Sequence, residues 1–205
     1  LSPERTCYDV RFYHLDVRVD PADSSLRGSN DIVFDVVRPF TRMQVDLFAN
    51  MKIDGITLQG SSTKVSFTRE ADAVFIDFPN ALPADSPQTL RIAYSGKPIA
   101  AKRPPWDGGF SWDKDKSGHP WVMVTCQGTG ASLWWPTKDH QDDEPDSMMI
   151  SITVPPGLTD ISNGRLRSTE VRAGNWPEKA FAKGMELNNK TPRRPGCGPT
   201  GKGRG

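Results

Sequence analysis

The 205-residue chain is poor in the residues that most chemistry leans on, with only three cysteines, three histidines and three tyrosines. Cys7, Cys126 and Cys197 are odd in number and far apart, which fits neither a disulfide framework nor a CxxC zinc site. His14, His119 and His140 never form HExxH, so the helical zinc site with its general-base glutamate is missing from this sequence. There is no GxSxG elbow and no glycine-rich phosphate loop. No apolar run approaches the ~18–20 residues of a membrane span, and mean hydropathy is −0.55, so a soluble chain with no membrane partner is expected. Neither sign of charge dominates: 26 Lys and Arg stand against 25 Asp and Glu, which removes the strongly basic nucleic-acid binder as a default. No leader precedes Cys7, so a signal peptide is taken as absent, removed or lost. The compartment, cytoplasmic or exported, stays undecided.

What is present reads as strands. Tyr8, Val10 and Phe12 fall on one parity and Tyr13, Leu15, Val17 and Val19 on the other, which predicts a bulge or a change of partner at Phe12 and Tyr13. Residues 32–37 form the next run, closed by Pro39. Met43, Val45 and Leu47 alternate with Gln44 and Asp46, the pattern of a half-buried strand. Further runs lie at 53–58, 65–67, 74–78, 90–94, 149–154 and 164–171. Short strands about ten residues apart, punctuated by Gly, Pro, Asp and Ser, predict an all-β sandwich or saddle-shaped sheet.

Residues 102–135 differ: they hold five of the six tryptophans among repeated Pro and Gly, and read as a long aromatic loop. Trp106, Trp112 and Trp121 could stack on sugars or peptides, or fill a core. Trp134 and Trp135 precede Pro136, so their rings are expected on opposite sides of an extended segment. Asp139, His140, Asp142, Asp143 and Glu144 form a dense acidic cluster that reads as a solvated turn, lacking the alternating ligands and hinge glycine of a calcium loop. Cys126 reads as a small packed residue rather than a nucleophile. Residues 190–205 carry five basic residues and no acid, leaving −4 on the rest of the chain; five glycines and three prolines there predict a solvated or disordered tail.

The run Cys126-Gln127-Gly128-Thr129-Gly130-Ala131-Ser132-Leu133-Trp134-Trp135-Pro136, followed by Asp143-Glu144-Pro145, resembles the N-terminal domain of zinc aminopeptidases of the aminopeptidase N and leukotriene hydrolase family, the gluzincin metallopeptidases. Tyr8-Asp9-Val10, Val45-Asp46-Leu47 and Ile161-Ser162-Asn163-Gly164 support the likeness, which runs from Tyr8 to Thr169. The resemblance implies an all-β saddle covering one side of a separate thermolysin-like zinc domain. It implies a substrate-anchoring role for Gln127, with Gly128, Gly130 and Ala131 beside it, at the amine end of a bound peptide. A glutamine suits that role because its amide both donates and accepts without adding a titrating group. Thr137 stands where the family commonly has cysteine, and the longer segment before Asp143 makes the acidic cluster a conformational corner rather than a metal site.

Zinc and the catalytic groups would belong to the following domain, absent here, so this chain alone is expected to hold no metal and cleave no peptide. A free-standing β-sandwich binding carbohydrate or peptide through its tryptophan loop is the alternative. The expected division is a β domain at 1–172 and a basic, Gly- and Pro-rich tail at 173–205, disordered or non-native, which a frameshift or broken gene end would explain. Gly184-Met185-Glu186-Leu187-Asn188 only superficially resembles the family's GxMEN motif, with Leu187 inserted and the spacer missing.

Overall fold

The computed structural model describes residues 2–61, 65–140, 143–172 and 176–183. A single helical turn, α1 (Pro3–Thr6), leads into β1 (Tyr8–Asp20), β2 (Ser25–Val36), β3 (Phe40–Asp46), β4 (Met51–Leu58), β5 (Ser66–Glu70), β6 (Ala73–Leu82) and β7 (Pro87–Gly96). After a connection come β8 (Gly109–Lys114), β9 (Pro120–Thr125), a 3-10 turn (Ala131–Leu133), β10 (Ser147–Thr153), β11 (Arg165–Arg172) and β12 (Trp176–Lys183). One sheet has the order β11-β12-β10-β1-β2-β7-β4, a second β3-β6-β5, and β8 and β9 make a two-stranded ribbon. β1 and β10 run parallel; the other pairings are antiparallel.

Alternation explains the core. Leu15, Val17, Ile32, Phe34, Leu90 and Ile92 of the large sheet are buried, as are Met43, Val45, Val74 and Ile76 of the smaller one, and all belong to one apolar cluster. Each such side chain contributes about 1.5–3 kcal/mol by leaving water. The change of parity in β1 is a bulge: Val10 pairs with Phe34 but Phe12 with Val33, so Arg11 is the extra residue and Tyr13 becomes the next inward side chain.

Four expectations need correction. β3 is buried on both faces, because Gln44 donates to Asp46 at 2.9 Å and Asp46 pairs with Arg5 of α1 at 2.5 Å. The tryptophan-rich stretch is not one long loop; β8 and β9 pair within it from Gly109 and Thr125 to Lys114 and Pro120. Trp134 and Trp135 end a 3-10 turn rather than lie in an extended segment, and their rings touch edge to face at 6.3 Å. The large sheet also continues past residue 172, since β12 pairs with both β10 and β11. The GxMEN-like run and the basic stretch at 190–205 lie outside the described residues.

Candidate functional site

β9 ends at Thr125 and the chain turns at once. The carbonyl of Cys126 accepts the Thr129 N–H at 3.2 Å and the Gly130 N–H at 2.9 Å, closing a loop with Gln127 and Gly128 at its apex. Gly128 and Gly130 have φ of 83° and 84°, where a side chain is strained. At Gly130 there is also no room: a Cβ would lie 2.0 Å from the Asp139 carboxylate. That carboxylate accepts both the hydroxyl and the backbone N–H of Ser132, fixing the start of the 3-10 turn that Ala131 opens. On its other side the loop rests on residue 108, where a Cβ on Gly108 would lie 2.1 Å from Thr129 Oγ1. The structure thus places Gln127, Gly128, Gly130 and Ala131 on one turn. Gln127 and Gly128 are exposed, while Gly130 and Ala131 are half-buried.

The segment after the turn is bolted to the sandwich by polar contacts. Thr137 exchanges backbone bonds with Asp46 at 2.7 and 3.1 Å, and Asn30 donates to the Pro136 carbonyl at 2.9 Å. Tyr13 Oη receives the Thr137 hydroxyl and the Lys138 N–H, both at 3.1 Å. Burial, partly offset by that hydroxyl and N–H, pushes the Tyr13 phenol up to about 12. The Lys138 ammonium donates to the Tyr8 carbonyl at 2.7 Å, pairs with Asp143, and sits 4.3 Å from the centre of the Tyr8 ring. Asp146 pairs with Arg11 at 3.3 Å. Asp139 and Asp143 of the acidic cluster, and Asp146 just beyond it, thus each hold a specific partner rather than lying free in a solvated turn, whereas Glu144 is exposed and Asp142 lies outside the described residues.

Chemically the turn can accept and donate hydrogen bonds, and little else. Burial and the Asp139 carboxylate raise the Cys126 thiol, which disfavours the reactive thiolate. Among the described residues no group of three His, Cys, Asp or Glu side chains could hold a metal, so those residues do not fit a zinc centre. An open cleft of about 330 Å³ lies elsewhere, against Arg5, Tyr8, Asp9, Lys138, His140 and Asp143. Of the three tryptophans considered for ligand stacking, Trp112 stacks inward on Phe110 at 5.2 Å, leaving Trp106 and Trp121 exposed.

Residues 9–187 match the peptidase M1 N-terminal domain family. The chain belongs to that family. No curated protein sequence matches it. Among solved structures, an M1 zinc metallopeptidase from Deinococcus radiodurans superposes with a TM-score of 0.68 at 20% identity, over 86% of this chain and 39% of that one. A two-domain M1 zinc metallopeptidase mutant bound to L-arginine gives 0.69 at 21% identity, over 85% and 39%, and one bound to L-tryptophan gives 0.70 at 21%, over 86% and 39%. At that identity the likeness is one of fold. The chain spans well under half the length of these structures.

Within this peptidase M1 N-terminal domain, the residues that hold the turn are ones sequence reasoning missed. Asp139, Lys138 and Asp46 were legible only as charges. The steric demand of Gly130 was signalled by the two closely spaced glycines but not by any hint of what crowds them.

Proposed function

We propose that this chain is the substrate-anchoring domain of a zinc aminopeptidase, with Gln127 contacting the free amino end or first side chain of a bound peptide. Three observations support the reading: membership of the M1 N-terminal family, the sequence around Gln127, and the exposure of that side chain on a turn fixed from both sides. The last carries it, because an anchoring amide must be positioned before substrate arrives if binding is not to spend its free energy on ordering a loop.

In the parent enzyme, metal-assisted hydrolysis of the first peptide bond would be the work of a separate zinc domain, whose metal, when bound, would supply Lewis-acid chemistry. Gln127 would orient the peptide, donating through its Nε2 or accepting an ammonium hydrogen at Oε1. The turn brings no titratable side chain of its own beyond the protonated Cys126 thiol, so this anchor works at constant charge.

The test is steady-state kinetics of the parent enzyme carrying Gln127→Ala on a dipeptide with a free amine. A loss of uniform binding raises KM with kcat little changed; unchanged KM and kcat would reject the anchoring role. The isolated chain should neither retain zinc after dialysis nor hydrolyse an aminoacyl anilide above a blank, and turnover by it would reject the division of labour.

A further inference from the structure

Two segments meet at one end of the β8–β9 ribbon. Gly109 pairs with Thr125, so the residues that enter β8 and those that leave β9 lie side by side. The Thr125 hydroxyl donates to the Asp107 carbonyl at 3.1 Å, and a Cβ on Gly108 would lie 2.1 Å from Thr129 Oγ1, so the segment before β8 abuts the Gln127 turn. Just before that contact stands Trp106, 87% exposed. Trp121, also exposed, pairs with Asp113 toward the other end of the ribbon. Four residues of strand set it about 13 Å from Thr125.

The backbone under this indole is braced. The Trp106 N–H donates to the Arg103 carbonyl at 2.9 Å, and the Asp107 carboxylate accepts the backbone N–H groups of Lys102 and Arg103 at 2.6 and 2.7 Å. Ala101 donates to the Phe110 carbonyl at 2.9 Å and Phe110 to the Ile99 carbonyl at 2.7 Å, which pins the start of the segment to β8. A large ring held in water on a fixed backbone has only its two side-chain torsions left to order when a ligand arrives. The adjoining turn presents the Gln127 amide in the same way. One surface thus offers a hydrogen-bonding group and, on the segment that touches it, an aromatic one.

We propose that Trp106 is a specificity-determining residue of the parent aminopeptidase: its indole packs on the side chain at the amino end of the peptide held by Gln127, and favours peptides that open with a large apolar or aromatic residue. This rests on the reading of Gln127 as the anchor. The two groups divide recognition. The amide takes the polar amino end, which every peptide substrate shares. The indole carries no charge and discriminates by apolar area and ring contact, which a phenylalanine or leucine side chain supplies and an alanine or serine does not.

The test is kcat/KM of the parent enzyme on dipeptides opening with Phe, Leu, Ala or Ser, for the wild type and for Trp106→Ala, Trp106→Phe and Trp121→Ala. Trp106→Ala should lower kcat/KM about tenfold for the Phe and Leu substrates and less than about twofold for the Ala and Ser ones. Trp106→Phe should keep most of the preference and Trp121→Ala all of it, and the melting temperature of each variant should match the wild type, since both indoles are exposed. An equal fall on all four substrates, no change on any, or the same collapse from Trp121→Ala would overturn the proposal. Gln127→Ala should raise KM by a similar factor whatever the first residue. Lost preference in Trp106→Ala beside a silent Gln127→Ala would keep Trp106 and reject the anchor. A flat Trp106→Ala beside a raised KM in Gln127→Ala would do the reverse. No turnover by the wild-type parent would overturn both.

Discussion

The sandwich and the segment from Cys126 to Asp143 are stabilised by different physics. In the sandwich, alternating apolar side chains from two sheets meet in one cluster, and side chains such as Leu15, Phe34 and Ile76 are fully buried. Such a core tolerates change in any one contact, because dispersion and burial are shared among many neighbours. The second segment has few apolar anchors, chiefly Leu133 and Trp135. Its path is set by single polar contacts: Cys126 carbonyl to Gly130, Asp139 to Ser132, Tyr13 to Lys138, and Lys138 to Asp143. Polar contacts of this kind fix a geometry more tightly than they stabilise a fold, since each partner left alone in the interior carries the cost of its desolvation. A turn that must present one side chain in one place is better served by the second construction.

The sharpest way to break this contrast is Lys138→Met. The Lys138 and Asp143 side chains are only 6% and 10% exposed, so removing the cation leaves a buried carboxylate with no countercharge and only the Val10 N–H at 3.4 Å, which costs about 3–5 kcal/mol. Urea unfolding should show a loss of that size, rivalling Phe34→Ala in the core at about 3–5 kcal/mol. A loss under about 1 kcal/mol would place the pair with weak surface ion pairs instead.

Gly130→Ala is the next largest. Its φ of 84° and the collision with Asp139 predict a loss of about 1–3 kcal/mol. Far-UV circular dichroism should keep its β signature while the near-UV signal of Trp134 and Trp135 changes. Equal loss of both signals would mean that the turn and the sandwich are one cooperative unit.

A smaller effect is expected from pH. Burial and the neighbouring Asp143 raise the Asp9 carboxyl above its ordinary 3.8. The folded state therefore binds that proton more tightly than the unfolded chain, so Asp9 adds stability as pH falls through the window just above 3.8 and loses it as pH rises. Asp9→Asn should remove that slope, seen as a smaller difference between wild type and variant at pH 4 than at pH 7. The opposite trend would show that Arg11 and Lys138 dominate its surroundings.

Gln127→Ala should be the smallest, within about 0.5 kcal/mol in urea, because the side chain is exposed on a turn whose bonds are all made by the backbone and by others.

The two regions also differed in how far the amino-acid sequence revealed them. Alternation exposed most strands of the sandwich and the β1 bulge, because period-two burial is a local signal. The β8–β9 ribbon escaped, since Pro104, Pro105, Gly108, Gly109 and Gly118 flank or interrupt it and suggest a loop. β12 escaped because its neighbours in sequence are basic and glycine-rich. Gln44 and Asp46 looked like the wet side of a strand; what buries them, α1 and the segment around Asp139, comes from elsewhere in the chain. The brackets of the turn could not be read at all: Tyr8 lies 130 positions from Lys138, and Asp46 93 from Asp139. Only the likeness to aminopeptidases pointed to Gln127, and no local pattern did so.

Backbone ¹⁵N relaxation of the isolated chain shows whether the Gln127 turn is built before any ligand arrives. A prebuilt turn gives order parameters for Gln127, Gly128 and Gly130 close to the ~0.85 of rigid backbone, matching β1 and β2. Values below about 0.6 on those three amides, with the strands rigid, would show a flexible loop and contradict it.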